Sequence, residues 1–500
     1  MWESLILGFS VCLQPINLFL CFVGVLIGTL IGVLPGLGPG ATIALLFPVT
    51  LGMSPTSAII MLAGIFYGAQ YGGSTTSILV NIPGEAASVV TCLDGYQMAL
   101  QGRAGPALGI AALGSFIAGT FSVIGLMILA VPLSTLALKF GPPEYFGLIC
   151  LGMTLVVYLA QKSVQKALIS ALLGIFLSQI GIDQVSSAQR FTFGMGELFD
   201  GISMVPLIMG LLGLGEVFLS LEEEISKISV ITHVKNLLPN LKDWKDSSWP
   251  IVRGSILGFL LGVLPGGGPV LSSFASYGIE KRVSKRPELF GHGAIEGVAG
   301  PEAANNSATG GSFVPLLTLG IPTNVVMALL FSALMVHGVQ PGPLLIKQHP
   351  DVFWGLVTSM YIGNAMLVLL NLPLIPIWVR FLKIPYRILF PLIIMFCLIG
   401  AYSERGLSFD VFLMILFGVI GYVMRKFEYE PAPLILGFIL GDILEESLRR
   451  SLIMADGSFL IFFKRPISAT FLGLTVLLLI SNLIPFFKNR LKKLEKLEMT

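Results

Sequence analysis

Long apolar runs, broken by glycine and proline rather than by charge, set the pattern of this chain. Clear apolar stretches lie near 16–34, 56–71, 107–131, 144–160, 164–181, 202–220, 351–372, 386–402, 408–424 and 466–486. Shorter or interrupted ones lie near 41–51, 72–82, 251–264, 269–279, 294–308, 312–321, 325–337 and 431–444. A helix needs about 20 residues to cross a bilayer, so the short pieces read as half-helices, re-entrant hairpins or kinked spans. The pattern predicts an all-α integral membrane protein with about 10–12 transmembrane helices, some of them re-entrant or broken.

Two of the runs carry the same glycine ladder. GVLIGTLIGVLPGLGPG places Gly24, Gly28, Gly32 and Gly36 four residues apart, and GSILGFLLGVLPGGGP does the same with Gly254, Gly258, Gly262 and Gly266. That spacing keeps the glycines on one helix face, where a second backbone can approach closely. Each ladder ends at a Leu-Pro-Gly break, which frees backbone groups that lipid cannot satisfy. A broken membrane helix used twice is the mark of a transporter built from two repeats.

The repeat extends further. Tyr71-Gly72-Gly73-Ser74 corresponds to Thr309-Gly310-Gly311-Ser312, and Asn81-Ile82-Pro83-Gly84 to Gly320-Ile321-Pro322-Thr323. Gln101-Gly102 and Gly105-Pro106 find counterparts in His337-Gly338 and Gly342-Pro343. Residues 16–131 and 251–372 are therefore two copies of one unit. Residues 1–220 form the first repeat with its following helices, and 221–250 a solvated polar linker. Residues 251–372 form the second repeat, and 373–500 the C-terminal helices and a basic tail.

Charge placement predicts that the copies are inverted. Arg253 precedes the second ladder, and Lys281, Arg282, Lys285 and Arg286 follow it. Basic residues mark cytoplasmic loops. With both ends cytoplasmic, this segment enters and returns as a hairpin tipped at Pro265–Pro269. The matching loop of the first copy, 50–55, has no charge, as expected if it faces outward. The tail KNRLKKLEK reads as a cytoplasmic C-terminus.

Composition agrees with a membrane protein. The chain is 55% hydrophobic and 12% charged, against about 25% charged in soluble domains, and its mean hydropathy is +0.88. A net charge of +2 gives no reason to expect nucleic acid. Its 5 cysteines lack CxxC spacing, so neither a metal site nor a disulfide framework is indicated. The N-terminus lacks a basic region and a cleavage site, and its first apolar segment reads as a retained helix.

Three groups of residues are candidates for chemistry. The tips come first: Gly36, Gly38, Gly266, Gly267 and Gly268 can offer backbone N–H groups to an anion where a new helix begins. A plain kink or a tight helix crossing is the alternative for one tip alone. Polar runs inside apolar sequence come second, with Ser74, Thr75, Thr76, Asn305 and Asn306 as substrate donors. Asn81, Glu302, Ser307, Thr309, Thr323 and Asn324 are candidates for a coupling ion such as sodium. Interhelical hydrogen bonding is the alternative here, at about 0.6 kcal/mol per contact. The acids Glu85, Asp94 and Glu302 come third, since charge in the membrane is expensive and functional. Glu302 follows Gly300-Pro301, which reads as a turn, and Arg103 as a loop or snorkelling residue. His292 and His337 are weaker candidates.

Energetics narrow the mechanism. A helix end contributes at most about 2 kcal/mol toward an anion, while desolvating a carboxylate costs several. Both tips and side-chain donors are needed together, and a bound cation helps. Moving each negative charge inward against about 100 mV costs roughly 2.3 kcal/mol, so accumulating a multiply charged anion needs co-transported cations or another energy input.

The motifs GVLPGLGPG, GAQYGGSTTSILVNIPGEAAS and DGYQMALQGRAGPALG resemble the large membrane subunit, TctA-type, of the tripartite tricarboxylate transporters. GVLPGGGP, the long run ending GPEAANNSATGGSFVPLLTLGIPTN, and HGVQPGPLL are similar to its second half. Proline at 39 and 269 departs from the small or polar residues expected there. The resemblance implies a secondary transporter of the bacterial inner membrane that takes up citrate-like di- and tricarboxylates with sodium or protons. It also implies a small TctB-type membrane subunit and a TctC-type periplasmic binding protein, with no cofactor. An anion channel is the nearest rival. An intramembrane enzyme would need a GxSxG or HExxH motif, and neither occurs.

Overall fold

A computed structural model describes residues 2–34, 38–160, 163–183, 186–222, 237–381 and 386–480. Gly36, His233 and the basic C-terminal tail lie outside them. The described chain is almost entirely α-helical, with one two-residue hairpin of Gly181–Ile182 and Gln189–Arg190. Four described helices are long and apolar enough to cross a membrane, and seven shorter ones are apolar. This is a multi-pass membrane protein.

The helices form two compact units, residues 1–138 with 203–427 and residues 139–202 with 428–500. Helices after 373 divide between the units, and those between 139 and 202, which follow the first repeat, group with residues 428–500. In chain order the first unit opens with α1 (Trp2–Cys12), α2 (Pro15–Val33), α3 (Pro39–Thr50), α4 (Pro55–Val80), α5 (Val89–Leu100) and α6 (Ala104–Ala137). The second unit takes α7 (Pro142–Tyr158) and α8 (Val164–Ser178). The first resumes with α9 (Met204–Ile208), which runs through a π-helical stretch, Met209–Leu214, into α10 (Gly215–Glu222). Then follow α11 (Leu241–Val263), α12 (Gly268–Val283), α13 (Glu296–Gly311), α14 (Phe313–Leu319), α15 (Val325–Val336), α16 (Leu345–Gln348) and α17 (Pro350–Asn371). It closes with α18 (Ile375–Phe381), α19 (Tyr386–Arg405) and α20 (Ser408–Lys426). The second unit ends with α21 (Pro431–Met454), α22 (Ile461–Lys464) and α23 (Pro466–Ile480).

Some predicted segments fuse. The runs near 56–71 and 72–82 are one helix, α4, because no proline or charge interrupts it. The polar stretch 221–250 ends earlier than expected, since Asn240 caps α11 by accepting from the Asp243 N–H at 2.9 Å. Arg253 on α11 and Glu280 on α12 form a two-bond ion pair, Nε to Oε1 at 2.9 Å. That pairing joins the bases of the two arms around Pro265–Pro269.

The ladders act as the spacing predicts. α2 lies against α4 so closely that a β-carbon on Gly28 would stand 2.5 Å from Ile65 O, while Gly24 and Gly32 meet Met61 O and Ala69 O. α11 lies against α13 in the same way: Gly254, Gly258 and Gly262 meet the carbonyls of Gly300, Ala304 and Ala308. The opposing residues match too, with Gly72 against Thr29 O and Gly311 against Phe259 O. These contacts pair Gly72 with Gly311, one residue away from the sequence landmark. The correspondence continues into the turns. Asn81 and Gly320 end α4 and α14 in the left-handed region, at φ 60° and 70°. Glu85 and Asn324 then cap the next helical turns, Ala86–Ser88 and α15.

The copies also exchange partners. α6 packs on α13 and α11, while α17 packs on α4 and α2. In the second unit α21 lies on α8 through Gly174 and Gly437, again with carbonyls facing the glycines. Arg190 and Arg449 share Asp183 and Glu445 at its edge, with Arg190 Nη1 to Glu445 Oε1 at 2.8 Å.

Candidate functional site

The polar runs of both copies meet at the centre of the first unit. Glu302 sits on α13, only 1% exposed, and Gly300-Pro301 is part of that helix rather than the expected turn. A proline within a packed helix is tolerated because neighbouring groups can satisfy the freed backbone. Ser273 Oγ of α12 donates to Pro301 O at 3.3 Å and ties the two helices together.

Glu302 reaches across to the first copy. Ser74 Oγ on α4 donates to Glu302 Oε2 at 2.5 Å, and Thr91 Oγ1 on α5 donates to Oε1. Glu85, also buried, accepts from the Ala87 N–H at 2.6 Å and from Asn305 Nδ2 at 3.4 Å. With its amide oriented to satisfy its neighbours, Gln70 donates to Glu85 Oε1 at 3.1 Å and to Asn305 Oδ1 at 3.0 Å. Asn306 Nδ2 donates to Ser115 Oγ on α6 at 2.7 Å. Glu302 thus hangs on hydroxyls of the other copy and Glu85 on donors of both copies, which is how a membrane interior tolerates two carboxyls.

The tips converge on one place. Gly38 caps α3 and Gly268 opens α12. A β-carbon on Gly40 would lie 3.9 Å from Val325 and Val326, at the start of α15. The Gly266 N–H donates to Thr323 O at 2.8 Å, just before the same helix. Gly266 has φ 76° and Gly268 φ 49°, backbone that glycine adopts freely. The expected donor role needs correction at two positions. The N–H of Gly266 is held by Thr323, and that of Gly267 by Leu264 O at 3.0 Å.

Other candidates make contacts within the helix packing. Thr76 Oγ1 donates to Val33 O at 2.8 Å and so satisfies a carbonyl at the broken end of α2. Asn81 is exposed and ends α4. Asparagine suits that left-handed position, which accounts for the residue without an ion. Ser307 Oγ donates to Ser255 O at 2.6 Å across the second ladder. Thr309 Oγ1 turns back to Asn305 O at 3.0 Å. Asn324 accepts from the Met327 N–H at 3.0 Å and donates to Ser312 Oγ at 3.2 Å.

Asp94 lies mid-helix in α5 and serves as a clasp. Its Oδ1 accepts from the N–H groups of Gly291, Gly293 and Ala294 at 2.8–2.9 Å, and its Oδ2 from Tyr277 OH at 2.9 Å. It fixes the loop after α12. Arg103 pairs with Asp243 at the start of α11, and His292 lends its carbonyl to Gln101 Nε2 at 2.8 Å.

The sequence reading missed Gln70, Thr91, Ser115, Asn364 and Asn371. Tyr71 OH donates to Asn364 Oδ1 at 2.6 Å, and Asn364 Nδ2 donates to Phe116 O at 2.9 Å. Asn364 and Asn371 are two helical turns apart in an apolar helix, and that spacing was the available signal. No group of three or more His, Cys, Asp or Glu occurs among the described residues.

The model for the tripartite tricarboxylate transporter TctA family matches residues 18–436. A protein of Agrobacterium vitis, described as an uncharacterized 52.8 kDa protein in the TAR-I ttuC' 3'region, is 52% identical over 491 residues, covering 98% of each chain. A second Agrobacterium vitis protein, described by its place in the TAR-II ttuC' 3'region, is 55% identical over 233 residues, 47% of this chain and 96% of its own. No solved structure matches.

Proposed function

The chain belongs to the tripartite tricarboxylate transporter TctA family, and from that premise we propose that it is the large membrane subunit of a cation-coupled carboxylate importer. It takes up a di- or tricarboxylate through the bacterial inner membrane. A periplasmic binding protein delivers the substrate, and a small membrane subunit completes the complex. No catalytic step is needed.

One observation supports this reading above the others: the broken helices of both copies adjoin the same Thr323–Val326 segment. Two helix breaks meeting inside a membrane protein create irregular backbone of the kind that lines substrate sites in transporters built from repeats. The anion would enter here, near Gly38, Gly268 and Asn324. In this reading the buried carboxyls Glu302 and Glu85 serve the cation, since a carboxylate beside an anionic substrate would repel it.

Uptake by proteoliposomes holding this chain and its small subunit, supplied with loaded binding protein, tests the proposal. Carboxylate accumulation above equilibrium under a sodium or proton gradient is expected. Equilibration without accumulation would identify a channel, and no carboxylate movement under any gradient would end the reading.

A further inference from the structure

A small cavity beside the buried carboxyls has an uncommon wall. Tyr71, Ser74, Thr75, Ser115 and Asn371 line it together with Leu108 and two alanines. It has room for about one water-sized sphere at its centre, far too little for a carboxylate substrate. α4, α6 and α17 supply the lining, so the cavity lies within one unit and touches both copies.

The polar groups lining this space are hydroxyls and one amide. Ser74 gives its proton to Glu302, and Tyr71 gives its proton to Asn364. Ser115 receives the amide of Asn306. Each hydroxyl oxygen keeps lone pairs for another partner. Asn371 completes the set. Its Nδ2 donates to Leu367 O at 3.0 Å and to Thr29 Oγ1 at 3.4 Å, which fixes Oδ1 as the other amide atom. That Oδ1 is buried and accepts no hydrogen bond, on a residue 3% exposed. A buried amide oxygen left without a donor is costly and requires an explanation.

The geometry points to a sodium site here, formed by Asn371 Oδ1 with the hydroxyls of Ser74, Thr75 and Ser115. This inference rests on the transport reading above and gives its coupling ion a place. Oxygen-only ligation suits a hard cation. No basic side chain lines the cavity. The nearest formal charge is Glu302, one hydrogen bond behind Ser74, so one carboxylate would balance one monovalent ion. A divalent ion would lack the ligand charge it needs, and a softer metal would lack nitrogen or sulfur. Asn371 and Ser115 become ligands in this scheme, while Ser307 and Thr309 keep their helix-binding roles.

Equilibrium binding of radiolabelled sodium to the purified full-length chain in detergent tests the site without any substrate or partner. Saturable binding that excess potassium fails to displace is expected. Asn371→Ala should weaken it by about tenfold or more, the loss of roughly 1.4 kcal/mol of ligation. Asn371→Leu, which keeps the side chain's length, should do the same and reads the effect if the smaller residue unfolds the protein. Absence of saturable binding by the wild-type chain, or unchanged affinity in a folded Asn371 variant, would overturn the site. Carboxylate accumulation driven by protons without sodium would overturn it while leaving the transporter reading intact. Sodium binding without carboxylate uptake would do the reverse.

Discussion

Replacing Asp94 with alanine distinguishes a structural clasp from a coupling carboxylate. The side chain accepts four bonds, from the N–H groups of Gly291, Gly293 and Ala294 and from Tyr277 OH. Its removal leaves all four donors without their partner. A buried orphan donor costs about 1–3 kcal/mol. Ala294 is fully buried, whereas Gly291, Gly293 and Tyr277 are half-buried and recover part of that from water. The expected loss is about 3–5 kcal/mol, less than four full penalties. Asp94→Asn keeps one carbonyl oxygen for the three N–H groups and turns an amide toward Tyr277. It forfeits charge assistance, which about doubles a hydrogen bond, so about 1–2 kcal/mol is expected. Tyr277→Phe removes one donor along with its bond and should cost about 1 kcal/mol. Unfolding in detergent ranks the three, and limited trypsin digestion at Lys281–Arg286 reports loosening of the neighbouring loop. A stable Asp94→Ala protein, or an Asp94→Asn protein of wild-type stability that transports nothing, would refute the clasp and return Asp94 to the coupling chemistry.

Other contacts give further expectations. Gly28→Ala places a carbon 2.5 Å from Ile65 O and 2.9 Å from Gly68 Cα, and should destabilise the chain by about 1–3 kcal/mol in the same unfolding assay. Gly278→Ala meets nothing within 4 Å and should be neutral or stabilising by up to about 1 kcal/mol. Arg253→Met strands the buried Glu280 carboxylate, and a loss of about 3–5 kcal/mol is expected, with a Glu280→Gln partner recovering part of it in a double-mutant cycle. Glu302→Gln should keep the fold, since an amide still pairs with Ser74 and Thr91, but should abolish gradient-driven accumulation in proteoliposomes.

The helical membrane fold was legible because its signals are local: apolar runs, glycine spacing and Pro-Gly breaks act within a turn or two of the chain. The ladders could be read as contact faces for the same reason, and only the match between the opposing helices α4 and α13 slipped by one residue. The polar site was legible by composition but not by role. Ser74, Asn305 and Glu302 do meet across the copies. Thr76 and Ser307 looked equivalent to them in sequence, yet they serve the carbonyls of Val33 and Ser255. That difference depends on which helix lies opposite, which spacing does not encode. Asp94 was ambiguous because its four donors lie nearly two hundred residues away. Asn371 was overlooked because one amide at the end of an apolar helix resembles ordinary helix packing until its oxygen is found without a donor.

The seam between α2 and α4 also restricts motion. A slide along it must carry each glycine from one carbonyl to the next, and four residues of helix span about 6 Å. The glycines therefore behave as detents of a ratchet, and the α11–α13 seam is cut to the same pitch. The two seams thus hold α2 to α4 and α11 to α13 backbone against backbone, whereas α4 meets α13 through a hydroxyl and a carboxyl, Ser74 and Glu302.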